Sequence, residues 1–403
     1  MHRLPPLPTV TAGLLAAFVG FTSSFSVILQ GLGAMGATRD QAASGLMALS
    51  VAMGLCGIAL SRKTRMPISI AWSTPGAALL ATSALPEGGF AVAVGAFVVS
   101  GLLVILAGVI RPLGRLIALL PASLANAMLA GILFSLCLAP VRAVAATPLA
   151  GLAVAGTWLL VSRLNRLLAV PAAALVAIGV IVLTHSDGLS TLGPALPYPV
   201  GVMPVFTLAS LVGIALPLFL VTMASQNIPG LAILKVNGFA PSPGPLFAVT
   251  GLFSLAAAPF GGHAVNLAAI TAAICAGEEA GPARERRYWA GVVSGLAYVG
   301  FGLAAGLVTA FASLSPLLIQ AVAGLALIGA FSGAAHAALA APGEREAATL
   351  TFLVTASGVA ILGISAPFWG LLAGAGLMLV TPRPVAAPPV VAARREDAPS
   401  ART

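Results

Sequence analysis

The sequence predicts an all-α polytopic membrane protein with fourteen transmembrane segments in two inverted seven-segment repeats, with short extended entries to half-helices in segments three and ten. Three observations carry that prediction. Of 403 residues, 59% are hydrophobic and only 7% charged, against about a quarter charged in soluble domains. The sparse charges leave apolar blanks close to the roughly 20 residues that a membrane-crossing helix needs. The basic residues, which outnumber the acidic ones 19 to 10, fall almost wholly on one side of the deduced spans. A soluble chain of this length could not hide so much apolar surface, and a disordered one would be poor in apolar residues. The net charge of +9 therefore reads as membrane topology and not as a nucleic-acid footprint. Cys56, Cys137 and Cys275 stand singly in apolar runs, a pattern that argues against disulfides and a structural zinc site.

The first span covers residues 9–30; no small-residue cleavage site follows it closely, so it reads as a retained segment. Six more blanks lie between charges at 40–62, 65–87, 87–111, 115–142, 142–163 and 166–187. These seven make the first repeat, 1–187. A Pro- and Gly-rich linker follows at 188–205, too broken for a membrane helix. The second repeat, 206–382, holds spans at 207–234, 245–258 and 261–276, and two within 288–341 that part near 313–316. Residues 347–381 hold two short spans broken at 365–367, and 383–403 form a basic cytoplasmic tail. With both termini cytoplasmic, 17 of the 19 Lys and Arg lie inside, leaving only Arg39 and Arg142 outside. Merging the last two spans would put the four tail arginines on the wrong side. An odd number of spans per half makes the halves insert in opposite senses, a plan shared by many secondary transporters.

Two elements at matching positions are broken. In the third, Pro67 to Trp72 has β-branched and aromatic character, so an extended lead-in is expected. Ser73 and Thr74 then precede Pro75, as an N-cap precedes proline in a first turn. In the tenth, Pro259-Phe-Gly-Gly262 forms an irregular lead-in, and an Ala-rich helix is expected to follow to Gly277. Half-helices that start inside the bilayer must turn their unpaired N–H groups to a cavity or ligand, and two such ends suit an anion. The plainer reading, that Pro and Gly only kink ordinary membrane helices, accounts less well for a matched pair.

No Asp or Glu lies within a span. The intramembrane polar candidates are Ser23, Ser24 and Gln30, then Gln226 and Asn227, then His263 and Asn266. Hydroxyls in membrane helices usually bond their own backbone or a neighbouring helix, so Ser23 and Ser24 read as packing. Adjacent carboxamides at Gln226-Asn227 are costly in lipid unless paired and point to a functional pair. His263 reads either as a satisfied helix-terminal imidazole or as a proton carrier. Trp72 packs at a half-helix end or stacks on an aromatic ligand.

The blocks PISIAWSTPGAALL (67–80), LPLFLVTMASQNIPGLAIL (216–234) and PFGGHAVNLAAITAAICAG (259–277) resemble the signature segments of the BenE benzoate:proton symporters, over about residues 9–381. That family is similar in fold to uracil permeases and sulfate-type anion transporters, with a core domain, a gate domain and a substrate site between segments three and ten. The resemblance implies import of benzoate with a proton by alternating access. It implicates Ser73, Thr74, Gln226, Asn227, Gly262, His263 and Asn266; the reading of the residues themselves adds Trp72 and makes His263 the proton-coupling candidate. Uracil permeases carry acidic residues in segments eight and ten, where this chain has Gln, Asn and His. The expected partners are benzoate or a similar small aromatic acid, protons and the lipid of the inner membrane, with a homodimer compatible with the fold and no nucleic acid. No cofactor, metal or catalytic residue is implied. The alternatives are a permease or exchanger for another small anion or a nucleobase, a channel, and a membrane-embedded enzyme. The last would want an HExxH motif, paired acids or a nucleophile–base pair within the spans, and the sequence has neither HExxH nor an intramembrane acid.

Overall fold

The computed structural model describes residues 5–110, 121–184, 196–268, 270–362 and 364–380. Arg3, Arg111, Arg115, the start of the expected linker and the basic tail lie outside the described residues. Two short helices, α1 (Leu7–Thr22) and α2 (Phe25–Ala34), form the first span and part at Ser23 and Ser24. The third helix, α3 (Arg39–Thr64), begins with a reciprocal capping box between Thr38 and Gln41. Then come β1 (Ile70–Trp72), α4 (Thr74–Thr82), α5 (Phe90–Val109), α6 (Ala122–Cys137), α7 (Ala139–Ala146), α8 (Pro148–Leu164) and α9 (Arg166–Thr184). The second half opens with α10 (Leu208–Val236), a helix interrupted by π turns at Leu211–Ala215 and Met223–Asn227. It continues through α11 (Pro243–Ala257), β2 (Val265–Leu267), α12 (Ile270–Ala276), α13 (Tyr288–Leu303), α14 (Ala305–Leu314), α15 (Pro316–Ala338), α16 (Arg345–Ala356) and α17 (Ala366–Val380).

Among the described residues, eight helices are long and apolar enough to cross a membrane. The count is nine if α13 and α14, bent by 58° at their junction, make one span. The fourteen-segment expectation also counts α4, α12 and the short apolar helices as segments. Those elements fall below a single-helix span in length.

The two broken elements meet as a two-stranded antiparallel sheet. Ile70 faces Leu267, Ala71 faces Asn266 and Trp72 faces Val265. Flanking bonds extend the ladder: the Ser73 N–H donates to the Ala264 carbonyl, and the Ala268 N–H to that of Ser69, each at 3.0 Å. Non-helical backbone at membrane depth is tolerated only where protein covers it, and residues 261–268 are all buried. Extended lead-ins are expected before the half-helices of both elements, and each is a strand here; in the tenth the strand runs to Leu267 and the helix starts at Ile270.

Around this pair, α3 packs on α13, α1 on α13 and α12, α5 on α11, and α2 on α4. Separately, α6 packs on α15 and α16, α16 on α17, and α8 on α9. The buried Arg287 guanidinium donates to the carbonyls of Ala276 (2.9 Å) and Gly281 (2.7 Å), closing the C-terminal end of α12 with the charge sign its dipole favours. Residues 196–206 lie outside helix and strand and are tied down. The Val200 N–H donates to Ser44 Oγ, that of Val202 to the Pro259 carbonyl, and that of Val205 to the Ala91 carbonyl.

Small residues let helix backbones approach where lipid gives no hydrophobic drive. At the α3–α13 crossing Gly54 and Gly295 face each other; a Cβ on either would lie 2.5 Å from the other's carbonyl oxygen. Gly295→Leu is expected to force the helices apart at a cost of about 1–3 kcal/mol or more. The readout is a clear fall in melting temperature in detergent. Gly300→Ala, where a Cβ meets nothing within 4 Å, should leave the melting temperature unchanged.

Candidate functional site

Ser73 is the N-cap of α4, and Pro75 stands in the first turn. Its Oγ accepts the Gly76 N–H at 3.1 Å and the Thr222 hydroxyl of α10 at 2.8 Å. The half-helix end is thereby fixed to both halves of the chain. The preceding residue, Trp72, is 2% exposed. Its Nε1–H donates to Ser24 Oγ at 2.8 Å, and its ring packs against Phe21 and Tyr298. Ser24, at the α1–α2 break, in turn donates to the Gly20 carbonyl at 2.8 Å.

The π turn Met223–Asn227 sets the two adjacent carboxamides to different tasks. Such turns are frequent at functional sites. Asn227 is fully buried; its Oδ1 accepts the Leu267 N–H at 2.9 Å, and its Nδ2 lies 3.1 Å from Met223 Sδ. It therefore ties α10 to β2. Gln226 turns the other way and lines a pocket.

That pocket is the central feature. Ser23, Ser24, Trp72, Thr74, Gln226 and Thr271 line it, together with small apolar residues, and no acidic side chain does. Its residues come from α1 and the turn after it, β1, α4, α10 and the β2–α12 segment. Its volume is about 60 Å³, well below the roughly 300 Å³ of the smallest usual ligand sites. An aromatic acid can enter only if a wall moves.

Of the eight residues expected from the sequence, Trp72, Thr74 and Gln226 line this pocket, while Ser73 and Asn227 brace its walls from behind. His263, also fully buried, sets its Nε2 2.9 Å from the Ser73 carbonyl and its ring edge-on to Phe97. A carbonyl can only accept, so Nε2 carries the proton and Nδ1 is left as a lone-pair site; Nδ1 has no hydrogen-bond partner. Asn266 lies within β2, its Nδ2 donating to the Leu267 carbonyl at 2.8 Å and its Oδ1 unpaired. Gly262 donates its N–H to the Ala257 carbonyl at the turn before β2. Neither Gly262, His263 nor Asn266 lines the pocket. Ser23, Ser24 and Thr271 do. The first two read as packing in the sequence; the available signal was the run Thr22-Ser23-Ser24, three consecutive hydroxyls midway along an apolar span.

The family model described as BenE, benzoate membrane transport protein, matches residues 4–380. The chain belongs to the benzoate membrane transport family. Similar proteins within reach include the inner membrane protein YdcO of Escherichia coli (strain K12), 41% identical over 382 residues that cover 93% of this chain and 95% of that one. The benzoate membrane transport protein of Acinetobacter baylyi (strain ATCC 33305 / BD413 / ADP1) is 33% identical over 374 residues, covering 91% and 93%. In fold, the chain resembles the transmembrane domain of a cyanobacterial bicarbonate transporter, BicA. The TM-score is 0.62 at 15% identity, with 93% of this chain and 98% of that one covered. Membership of the BenE family makes this a membrane transporter, and the pocket described above is where its fold gathers polar side chains between two broken elements.

Replacing Asn227 with Leu keeps side-chain volume but leaves the buried Leu267 N–H without an acceptor. An orphaned buried donor costs about 1–3 kcal/mol, so Asn227→Leu should melt several degrees below the parent in detergent. A melting temperature equal to the parent's would show that the bond does not brace the site.

Proposed function

We propose that the protein is a secondary active transporter of the inner (cytoplasmic) membrane that imports benzoate, or a similar small aromatic carboxylate, together with a proton. The observation that carries this reading is the acid-free pocket in which Ser24, Thr74, Gln226 and Thr271 gather beside Trp72 at a half-helix N-terminus. Hydroxyls and a carboxamide suit a carboxylate, Trp72 suits a ring, and the lack of acidic neighbours removes a repulsion. Family membership, and the name of the Acinetobacter relative, favour benzoate among carboxylates; the name of the E. coli relative favours the inner membrane.

In this reading the chain comprises fourteen segments in two inverted repeats, with both termini cytoplasmic. Helices α1–α5 and α10–α13 carry the site as one body, and α6–α9 with α15–α17 form the wall against which it moves. Alternating access then follows from that relative movement, and the small volume of the pocket supports a cycle in which a wall must open. At neutral pH a carboxylic acid with a pKa of about 4 is almost wholly ionised. Carrying one proton with it makes the step electroneutral, so a pH gradient drives accumulation and membrane voltage does not. His263 is the proposed proton carrier: its free Nδ1 is a proton acceptor, and its Nε2 bond reaches the carbonyl of the residue that caps α4.

Purified protein in liposomes should take up labelled benzoate saturably, faster than protein-free liposomes, when the outside is acidic; uracil and sulfate should not compete. Uptake blocked by uracil or sulfate would move the reading to another anion or a nucleobase. Gln226→Ala is expected to raise KM about tenfold, the equivalent of one charge-assisted hydrogen bond. His263→Gln should retain benzoate exchange at equal pH but lose pH-driven acceleration. Undiminished proton-driven uptake in His263→Gln would remove the imidazole from the mechanism.

A further inference from the structure

A second and larger cavity, of about 290 Å³, sits apart from the central pocket and approaches the size of ordinary small-molecule sites. One wall is α2 with the start of α3; the other is the corner where α14 gives way to α15. Its polar lining is Ser26, Gln30 and Arg39 together with Gln320 and three hydroxyls, Thr38, Thr309 and Ser313, each already bonded within its own helix or its cap. Ser26 is 0% exposed, yet its hydroxyl has no hydrogen-bond partner, and neither has the Gln30 amide nitrogen, Nε2. Buried polar groups are nearly always paired, so each orphan calls for an account. These two are four residues apart on α2, and thus on one helix face, and both border the same space.

Arg39 stands exposed at the rim. No Asp or Glu lines the cavity. The neighbouring Asp40 is engaged elsewhere, its Oδ2 accepting the Tyr198 hydroxyl at 2.8 Å. Leu29, Pro316 and Ile319 supply an apolar side. Hydrogen-bond donors and a guanidinium without a competing acid select an anion, and the apolar side selects one with a hydrocarbon body. The cavity is also linked to the central pocket by the chain itself. Ser23 and Ser24 border the pocket, and α2 rises from them past Ser26 to Gln30, about 9 Å at 1.5 Å per residue.

We propose that this cavity is a second binding subsite for the carboxylate, on the outer face, where Arg39, Gln30 and Ser26 hold the anion before it passes along α2 to the central pocket. The inference rests on the benzoate reading and on the orientation given above.

The test is initial uptake of labelled benzoate from the medium at pH 7 by cells making the protein, resolved into KM and Vmax. Arg39→Gln should raise KM about tenfold, with Vmax kept, and Arg39→Lys should recover most of the loss. Gln30→Leu should raise KM while its melting temperature stays level or rises, because an apolar side chain replaces a buried orphan; a merely structural Gln30 would lower it. Unchanged KM in both Arg39→Gln and Gln30→Leu would overturn the subsite while leaving the benzoate reading intact. An equal rise in Arg142→Gln, which does not line the cavity, would overturn it too, by showing a general surface potential. Absence of saturable benzoate uptake by the parent would instead overturn the benzoate reading on which the subsite rests.

Discussion

A backbone that leaves the helical path inside a membrane must find hydrogen bonds within the protein, and the pairing of β1 with β2 meets that demand for both halves at once. Most of the site depends on it. The strand of the third element can run extended at depth only because the tenth element supplies its partner. The helix caps, the Trp72 indole and the Asn227 carboxamide are then fixed by reference to that ladder. Asn227 bonds to a strand N–H, Ser73 receives Thr222, and His263 reaches the Ser73 carbonyl. Two layers result, a pocket of hydroxyls, one amide and one indole, and behind it a frame of buried polar groups that hold its walls.

This division separates side chains that look alike in sequence. Gln226 and Asn227 are adjacent carboxamides, and only the π turn sends one to the pocket and the other to the frame. Helix periodicity alone does not reveal a π turn, because it adds one residue to a single turn and leaves the apolar pattern on either side intact. The Ser73-Thr74-Pro75 signal, by contrast, is local chemistry. A hydroxyl cap followed by proline means a helix start wherever it stands, and α4 starts there.

Non-local features were the least legible. Val265, Asn266 and Leu267 are three residues in an Ala-rich context, and nothing nearby marks them as strand; their partner lies far up the chain. Ser24 was ambiguous for another reason. A serine in a membrane helix can bond its own backbone, and Ser24 does bond the Gly20 carbonyl, yet the same oxygen also receives the Trp72 indole. The membrane class, by contrast, was readable from charge scarcity alone. The span count rested on arginine placement, which speaks to topology but not to whether a short helix crosses the bilayer or stops within it.

The β1–β2 pair also constrains how the molecule is made. Ile70 waits for Leu267, nearly two hundred residues later in synthesis, so the first half enters the bilayer with a strand whose backbone has no partner. Until the second half arrives, that segment must shelter against its own neighbours or in water near the insertion machinery. Closing the ladder is then a late event in biogenesis, and a chain halted before residue 265 would hold an exposed strand, which quality control in the cell could recognise.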